Sequence, residues 1–182
     1  MVYMQARKFF SNAAAEMKSG SKGASLNLRA RALKYLARRE YSRAELRGKL
    51  LPHVQADTDF EQAVPESLDA LLDDLTERGW LSDARAVSQL LHAKRNRFGL
   101  QRITHELRQR GIAEDLIGAA LPQLKETELE TAQQVWQRRF GVLPQGAKEK
   151  ARQMRFLQSR GFALDVIFQV LRQAPDGEDV SN

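Results

Sequence analysis

Three times in this chain a leucine is followed by Arg-Gly, an apolar residue and an aspartate at one fixed spacing: LTERGWLSD at 75–83, LRQRGIAED at 107–115 and LQSRGFALD at 157–165. The pattern Leu-x-x-Arg-Gly-Φ-x-x-Asp, with Φ apolar, describes a helix stop followed by a helix start. Leu68, Leu71, Leu72 and Leu75 fall at i, i+3, i+4 and i+7, one face of a helix. Arg78 falls in the last turn, where a cation complements the negative end of the helix dipole. Gly79 supplies the left-handed residue that ends the helix, because it has no Cβ to clash. The apolar residue after the glycine then packs back on the leucine five before it. The pairs are Leu75 with Trp80, Leu107 with Ile112 and Leu157 with Phe162.

The same rules place the other helices. Residues 26–39 read as helical, and Ser42-x-x-Glu45 is a capping box that opens a second helix ending before Pro52. Pro65 suits the first turn of the third. Residues 83–95 turn Val87, Leu90 and Leu91 inward, and Leu100, Ile103 and Leu107 line the next helix. Leu116, Ile117, Ala120 and Leu121 mark a sixth; Leu129, Ala132, Trp136 and Phe140 mark a seventh. An eighth lies near 148–160, and Leu164, Ile167, Phe168 and Leu171 stripe the ninth. All five prolines fall at expected helix edges, and no stretch alternates with period two. The fold class expected is all-α.

Nine helices sort into three triplets. Tyr41, Ser42, Leu46 and Leu50 align with Phe98, Gly99, Ile103 and Leu107 at a constant offset of 57. Leu107, Arg110, Gly111 and Asp115 align with Leu157, Arg160, Gly161 and Asp165 at an offset of 50. The expected organisation is a flexible basic tail over 1–25, three-helix repeats over 26–81, 82–124 and 126–173, and a C-terminal tail over 174–182. Units of about 45 residues bury too little surface to stand alone. Stacked in tandem they would form an elongated, curved, solenoid-like body.

Charge follows the same period. Net charge is +6 over 29–49, −8 over 57–77, +6 over 78–111, −4 over 114–130 and +6 over 138–160. In register, the basic helices would line one side and form a long cationic face for a polyanion or an acidic protein groove. The alternative is that these residues simply solvate helix backs. The candidate contacts are Arg31, Lys34, Arg38, Arg39, Lys94, Arg95, Arg97 and Arg102, with Tyr35, Tyr41 and Phe98 interleaved. The rings fit base stacking or an ordinary core position.

The sequence argues against catalysis. It has no cysteine and three histidines, His53, His92 and His105, with no zinc-ligand spacing. Asp57, Asp59 and Glu61 resemble the start of a calcium loop, but Leu68 stands where the closing glutamate should be. No phosphate loop or dinucleotide fingerprint is present. No cofactor and no metal are expected. No apolar run is long enough to span a bilayer, so no membrane partner is expected either.

Three stretches resemble the RecX family of bacterial regulatory proteins. They are GWLSDARA at 79–86, AKRNRFGLQRITHELRQRGI at 93–112 and RFLQSRGF at 155–162, with ARREYSRAELRGKL at 37–50 upstream. The first carries Gly79, Trp80, Leu81, Asp83, Arg85 and Ala86; the second carries Phe98, Gly99, Ile103, Glu106, Leu107, Gly111 and Ile112. The likeness runs from about residue 29 to 173. Ala86 is smaller than the apolar or aromatic residue the family carries there. The resemblance implies three tandem three-helix repeats and no enzymatic activity. It also implies a regulator that binds the RecA recombinase filament on single-stranded DNA along its groove. Such a regulator restrains ATP hydrolysis and strand exchange, and so dampens recombination, DNA repair and the SOS response. A cytoplasmic monomer with weak direct DNA contact is expected. Arg85 joins the candidate contacts on this resemblance, its other reading being a satisfied structural arginine. Asp83 beside it is placed to cap the following helix. The alternative function is a direct DNA-binding helical-repeat regulator.

Overall fold

The computed structural model of the chain describes residues 25–56 and 68–172. Pro65, the acidic loop at Asp57, Asp59 and Glu61, the C-terminal tail, and the expected N-terminal tail except Ser25, which opens a helix, lie outside them. The described residues form eight helices: α1 Ser25–Leu36, α2 Arg43–Ala56, α3 Leu68–Glu77, α4 Asp83–Lys94, α5 Leu100–Gln109, α6 Glu114–Arg139, α7 Ala147–Ser159 and α8 Leu164–Arg172. Among the described residues there is no strand. The all-α expectation holds. The chain divides after Asp83 into two compact units.

The three Arg-Gly turns are built alike. Gly79, Gly111 and Gly161 have φ of 69°, 68° and 82°, in the left-handed region that excludes most side chains. Each glycine N–H donates to the carbonyl three residues back, from Gly79 to Thr76 at 2.9 Å, Gly111 to Arg108 at 2.9 Å and Gly161 to Gln158 at 2.8 Å. The next amide reaches back to the leucine carbonyl, Trp80 to Leu75 at 2.8 Å, Ile112 to Leu107 at 3.1 Å and Phe162 to Leu157 at 3.3 Å. This double closure satisfies carbonyls that a helix end otherwise leaves open. Leucine and apolar partner then enter one core in every copy.

Three cores result. Leu28, Ala32, Leu36, Tyr41, Leu46, Leu50, Leu68, Leu71, Leu72, Leu75 and Leu81 form the first, from α1, α2 and α3. Val87, Leu90, Ile103, Leu107, Ile112, Ile117 and Leu124 form the second. Ala132, Val135, Trp136, Leu157, Phe162, Ile167, Val170 and Leu171 form the third. The capping box of α2 is in place: Glu45 N–H donates to Ser42 Oγ at 3.0 Å, and Ser42 N–H donates to Glu45 Oε2 at 3.1 Å.

Three expectations need correction. The sixth and seventh expected helices are one helix, α6, which runs through Pro122. Its first half feeds the second core and its second half feeds the third. Leu124 and Leu129 are five residues apart, so at about 100° per residue the apolar face rotates by about 140° between them. That rotation reads as a break in the sequence, yet it only redirects a continuous helix. Likewise α2 continues past Pro52 to Ala56. A proline forfeits the bond to the carbonyl four residues back. Here those carbonyls belong to Gly48 and Gly118, and both glycines and both prolines face solvent, so water can take up the missing bond. Finally, the core face of α8 is Ile167, Val170 and Leu171, whereas Leu164 and Phe168 are 49% and 37% exposed.

Candidate functional site

In the first unit, the acidic α3 lies against the basic α1 and α2 and its carboxylates take up their arginines. Arg29 pairs with Asp74, Arg43 with Asp73 at 2.8 Å, Arg47 with Asp69 at 3.3 Å, and Arg78 with Asp74 at 2.8 Å. Burial pushes the Asp74 carboxyl up. The hydrogen bond from Arg78 and the charges of Arg29 and Arg78 outweigh that and hold it below the usual carboxylate value. Arg39 lies 3.6 Å from the Tyr41 ring centroid and pairs with Glu45 at 3.0 Å. Burial lowers its pKa and Glu45 more than reverses this, so the guanidinium is held as a structural cation. Arg31, Lys34 and Arg38 line a shallow groove of about 420 Å³ beside Tyr35. Among the described residues Lys34 and Arg38 are on its rim without a carboxylate in reach.

Asp83 lies in the first turn of α4, and its Oδ1 accepts the Arg43 N–H of α2 at 2.7 Å. The carboxylate expected to cap its own helix thus serves the start of another. Arg85 is half-buried on α4, and Ala86 is buried, 2% exposed, where a larger side chain would have to displace neighbours.

In the second unit, cations gather on rings. Phe98 precedes α5, and Arg102, Lys94, Arg160 and Arg97 lie 4.8, 5.4, 5.4 and 5.9 Å from its centroid. Arg160 also lies 5.2 Å from the Phe156 centroid. Phe156 meets Phe140 edge-on at 5.3 Å, and Phe140 carries Arg139 and Arg152 at 5.7 and 5.8 Å. Each such contact contributes about 0.5–1 kcal/mol where exposed. They set these long side chains against rings rather than against carboxylates. Lys94 is the exception, because it pairs with Glu106 at 2.5 Å. Burial raises the Glu106 carboxyl, but hydrogen bonds from Lys94 and Arg110 dominate and hold it low. Arg95 is exposed and lines a groove of about 430 Å³ between α4 and α6, with His92, Asn96, Gln123, Thr127 and Gln134.

A backbone joint makes the Phe98 cluster possible. Gly99 N–H donates to the Arg160 carbonyl at 2.9 Å and Gln101 N–H to the Gly161 carbonyl at 3.1 Å. Leu100 N–H donates to Oε1 of the buried Glu128 at 3.0 Å. The N-terminus of α5 is thus capped by the end of α7 and by one carboxylate of α6. A Cβ on Gly99 would lie 2.3 Å from the Gly161 carbonyl oxygen, and a Cβ on Gly161 would lie 2.5 Å from Arg102 N. Both positions must be glycine.

The structure therefore brings Lys94, Arg97 and Arg102 together, adds Arg139, Arg152 and Arg160, and sets Arg39 apart as an ion-paired residue. The added three lie in the +6 block over 138–160. The signal that could have found Arg160 is its alignment with Arg110 before a repeated glycine. Arg139 and Arg152 carried no comparable signal. Among the described residues no helix is long and apolar enough to cross a membrane.

Known proteins resemble this chain in sequence and in fold. Family models described as the second and third three-helix domains of RecX match residues 82–121 and 126–171. A protein of Leptothrix cholodnii named Regulatory protein RecX is 50% identical over 157 residues, covering 86% of this chain and 95% of that one. One of the same name from Chromobacterium violaceum is 41% identical over 152 residues, covering 84% and 93%. The crystal structure of RecX from Lactobacillus salivarius superposes with a TM-score of 0.64 at 17% identity, covering 82% of this chain and 95% of that one. Another, described as a crystal structure of regulatory protein RecX, gives 0.63 at 20% identity, covering 82% and 74%. The two superpositions establish the likeness of fold.

Proposed function

The chain belongs to the RecX family of regulatory proteins, and from that premise we propose that it regulates the RecA recombinase. In this reading it binds the RecA filament on single-stranded DNA along its groove. Bound there, it restrains ATP hydrolysis and strand exchange, and so modulates recombination, DNA repair and the SOS response. It acts as a cytoplasmic monomer without enzymatic activity of its own. The observation that carries the reading is the 50% identity across 95% of a protein named Regulatory protein RecX. The ring-backed arginines of the second unit support it, because a filament groove holding DNA is a polyanionic environment.

The test is single-stranded-DNA-dependent ATP hydrolysis by RecA, titrated with this protein well below equimolar. A parallel series at higher DNA concentration controls for competition. The expected result is suppression at substoichiometric protein that excess DNA does not relieve. Unchanged hydrolysis, or a fall only in step with masking of the DNA, sinks the filament reading. It leaves the direct DNA-binding regulator in its place.

A further inference from the structure

The Phe98 cluster holds more positive charge than the protein itself neutralises. Four cations lie within 5.9 Å of one ring centroid, and Lys94 alone has a carboxylate, Glu106. Among the described residues no carboxylate lies within ion-pair distance of Arg97, Arg102 or Arg160. A ring quadrupole attracts each cation but cancels none of their mutual repulsion.

The first unit shows what a self-contained version looks like. Tyr41 occupies the position that Phe98 occupies 57 residues later, and it too carries an arginine, Arg39, at 3.6 Å. There Glu45 closes the pair at 3.0 Å. At Phe98 the corresponding counter-charge is missing for three arginines.

The arrangement is held from behind. Arg102 Nη1 donates to the Ser159 carbonyl at 3.0 Å, and the main chain of Arg160 is fixed by the amide of Gly99 on its carbonyl. A guanidinium lying on a ring still presents N–H groups along its edge, and that planar fork matches pairs of phosphate oxygens. We propose that Arg97, Arg102 and Arg160 on Phe98 form a phosphate-binding site, filled by adjacent phosphates of a nucleic-acid backbone or of a free polyphosphate. Such a site needs no RecA, so it can succeed or fail independently of the filament reading.

The experiment uses the full chain alone at low ionic strength. Binding of a fluorescein-labelled homothymidine oligonucleotide is measured by anisotropy, and binding of inorganic pyrophosphate by calorimetry. The double variant Arg102→Ala/Arg160→Ala is expected to weaken binding on the order of tenfold or more, with unchanged helical circular dichroism. Its oligonucleotide salt slope should fall by roughly 0.7 for each phosphate it no longer neutralises. Arg102→Lys/Arg160→Lys should recover part of the affinity, and Arg108→Ala, at a residue already paired with Glu114, should bind as the parent does. Binding of the oligonucleotide without pyrophosphate identifies a nucleic-acid backbone as the ligand. Binding of pyrophosphate that displaces the oligonucleotide identifies a site open to free polyphosphates as well. Failure of the parent protein to bind either probe, or parent-like binding by the alanine double variant, overturns the proposal.

Discussion

In residues 25–83 five arginines stand on carboxylates; in residues 84–172 five stand on rings without one. Arg29, Arg43, Arg47 and Arg78 each hold an aspartate of α3. Arg39 and Arg78 also lie over rings, yet each keeps its acid. Arg97, Arg102, Arg139, Arg152 and Arg160 have rings and no carboxylate partner among the described residues. The +6 blocks over 29–49, 78–111 and 138–160 are equal on paper. Among the described residues they are unequal in the fold, because the first is packed against α3, whose aspartates take up Arg29, Arg43 and Arg47. Block charge counts the cations; packing decides which of them meet a carboxylate.

The Arg-Gly turns give the largest way to break this comparison. Gly161→Ala places a Cβ 2.5 Å from Arg102 N at φ +82°, whereas Gly79→Ala meets nothing within 4 Å. Gly79→Ala should cost about 1–2 kcal/mol for the left-handed backbone. Gly161→Ala should cost about 3 kcal/mol or more, since the close approach adds to that strain. Urea unfolding of both variants reads the difference, and equal costs would mean that the joint yields easily.

Charge reversal comes next. Arg97, Arg139 and Arg152 changed together to Glu should weaken inhibition of RecA ATP hydrolysis on the order of tenfold or more, at unchanged helicity. Lys34 and Arg38 changed to Glu should have the smaller effect, about threefold, because the first unit carries its own acids. An equal or reversed ranking would move the interface to the groove beside Tyr35.

Smaller effects test the pairs themselves. Asp74→Asn removes the shared partner of Arg29 and Arg78 and should cost about 1 kcal/mol, less at high salt. Glu106 gives a pH dependence of definite sign. Its folded pKa is depressed by Lys94 and Arg110. Its stabilisation is therefore full above the ordinary carboxylate value of about 4.3 and is lost as pH falls through the lower folded value. The difference in melting temperature between the parent and Glu106→Gln should shrink across that window. A constant gap would show that packing, and not charge, sets the effect.

Much of the fold was legible because its signals are local. The leucine spacing before Gly79, Gly111 and Gly161, and the glycines themselves, marked three helix ends that the dihedrals reproduce. Ser42 and Glu45 marked a helix start through a three-residue spacing. Pro122 misled for the opposite reason. A proline costs one helical bond, and whether a helix survives that cost depends on what its two halves bury. Ile117 and Leu124 reach one core and Ala132 and Trp136 another, so α6 continues. On α8, Phe168 fell within the expected stripe, yet the face turned to the core carries Val170 instead.

The candidate surface was legible only in outline. Runs of Lys and Arg marked where cations are abundant, and Phe98 stood among them. That Arg39 and Lys94 are tied to Glu45 and Glu106, and that Arg160 reaches the same ring as Arg102, depends on contacts no local pattern encodes.

The sequence by itself determined that the chain is helical, where its Arg-Gly turns lie and which leucines they bury. Helical periodicity and a glycine's freedom at positive φ act over a few residues, so a few residues suffice to read them. The tertiary structure alone decided that α6 is one helix, that Gly99 and Gly161 meet, and which arginines lie beside a carboxylate. Those outcomes rest on groups dozens of residues apart, such as Arg29 and Asp74 or Arg102 and Ser159. A charge is neutralised by whatever packing places within a few ångströms, and sequence distance carries no such information.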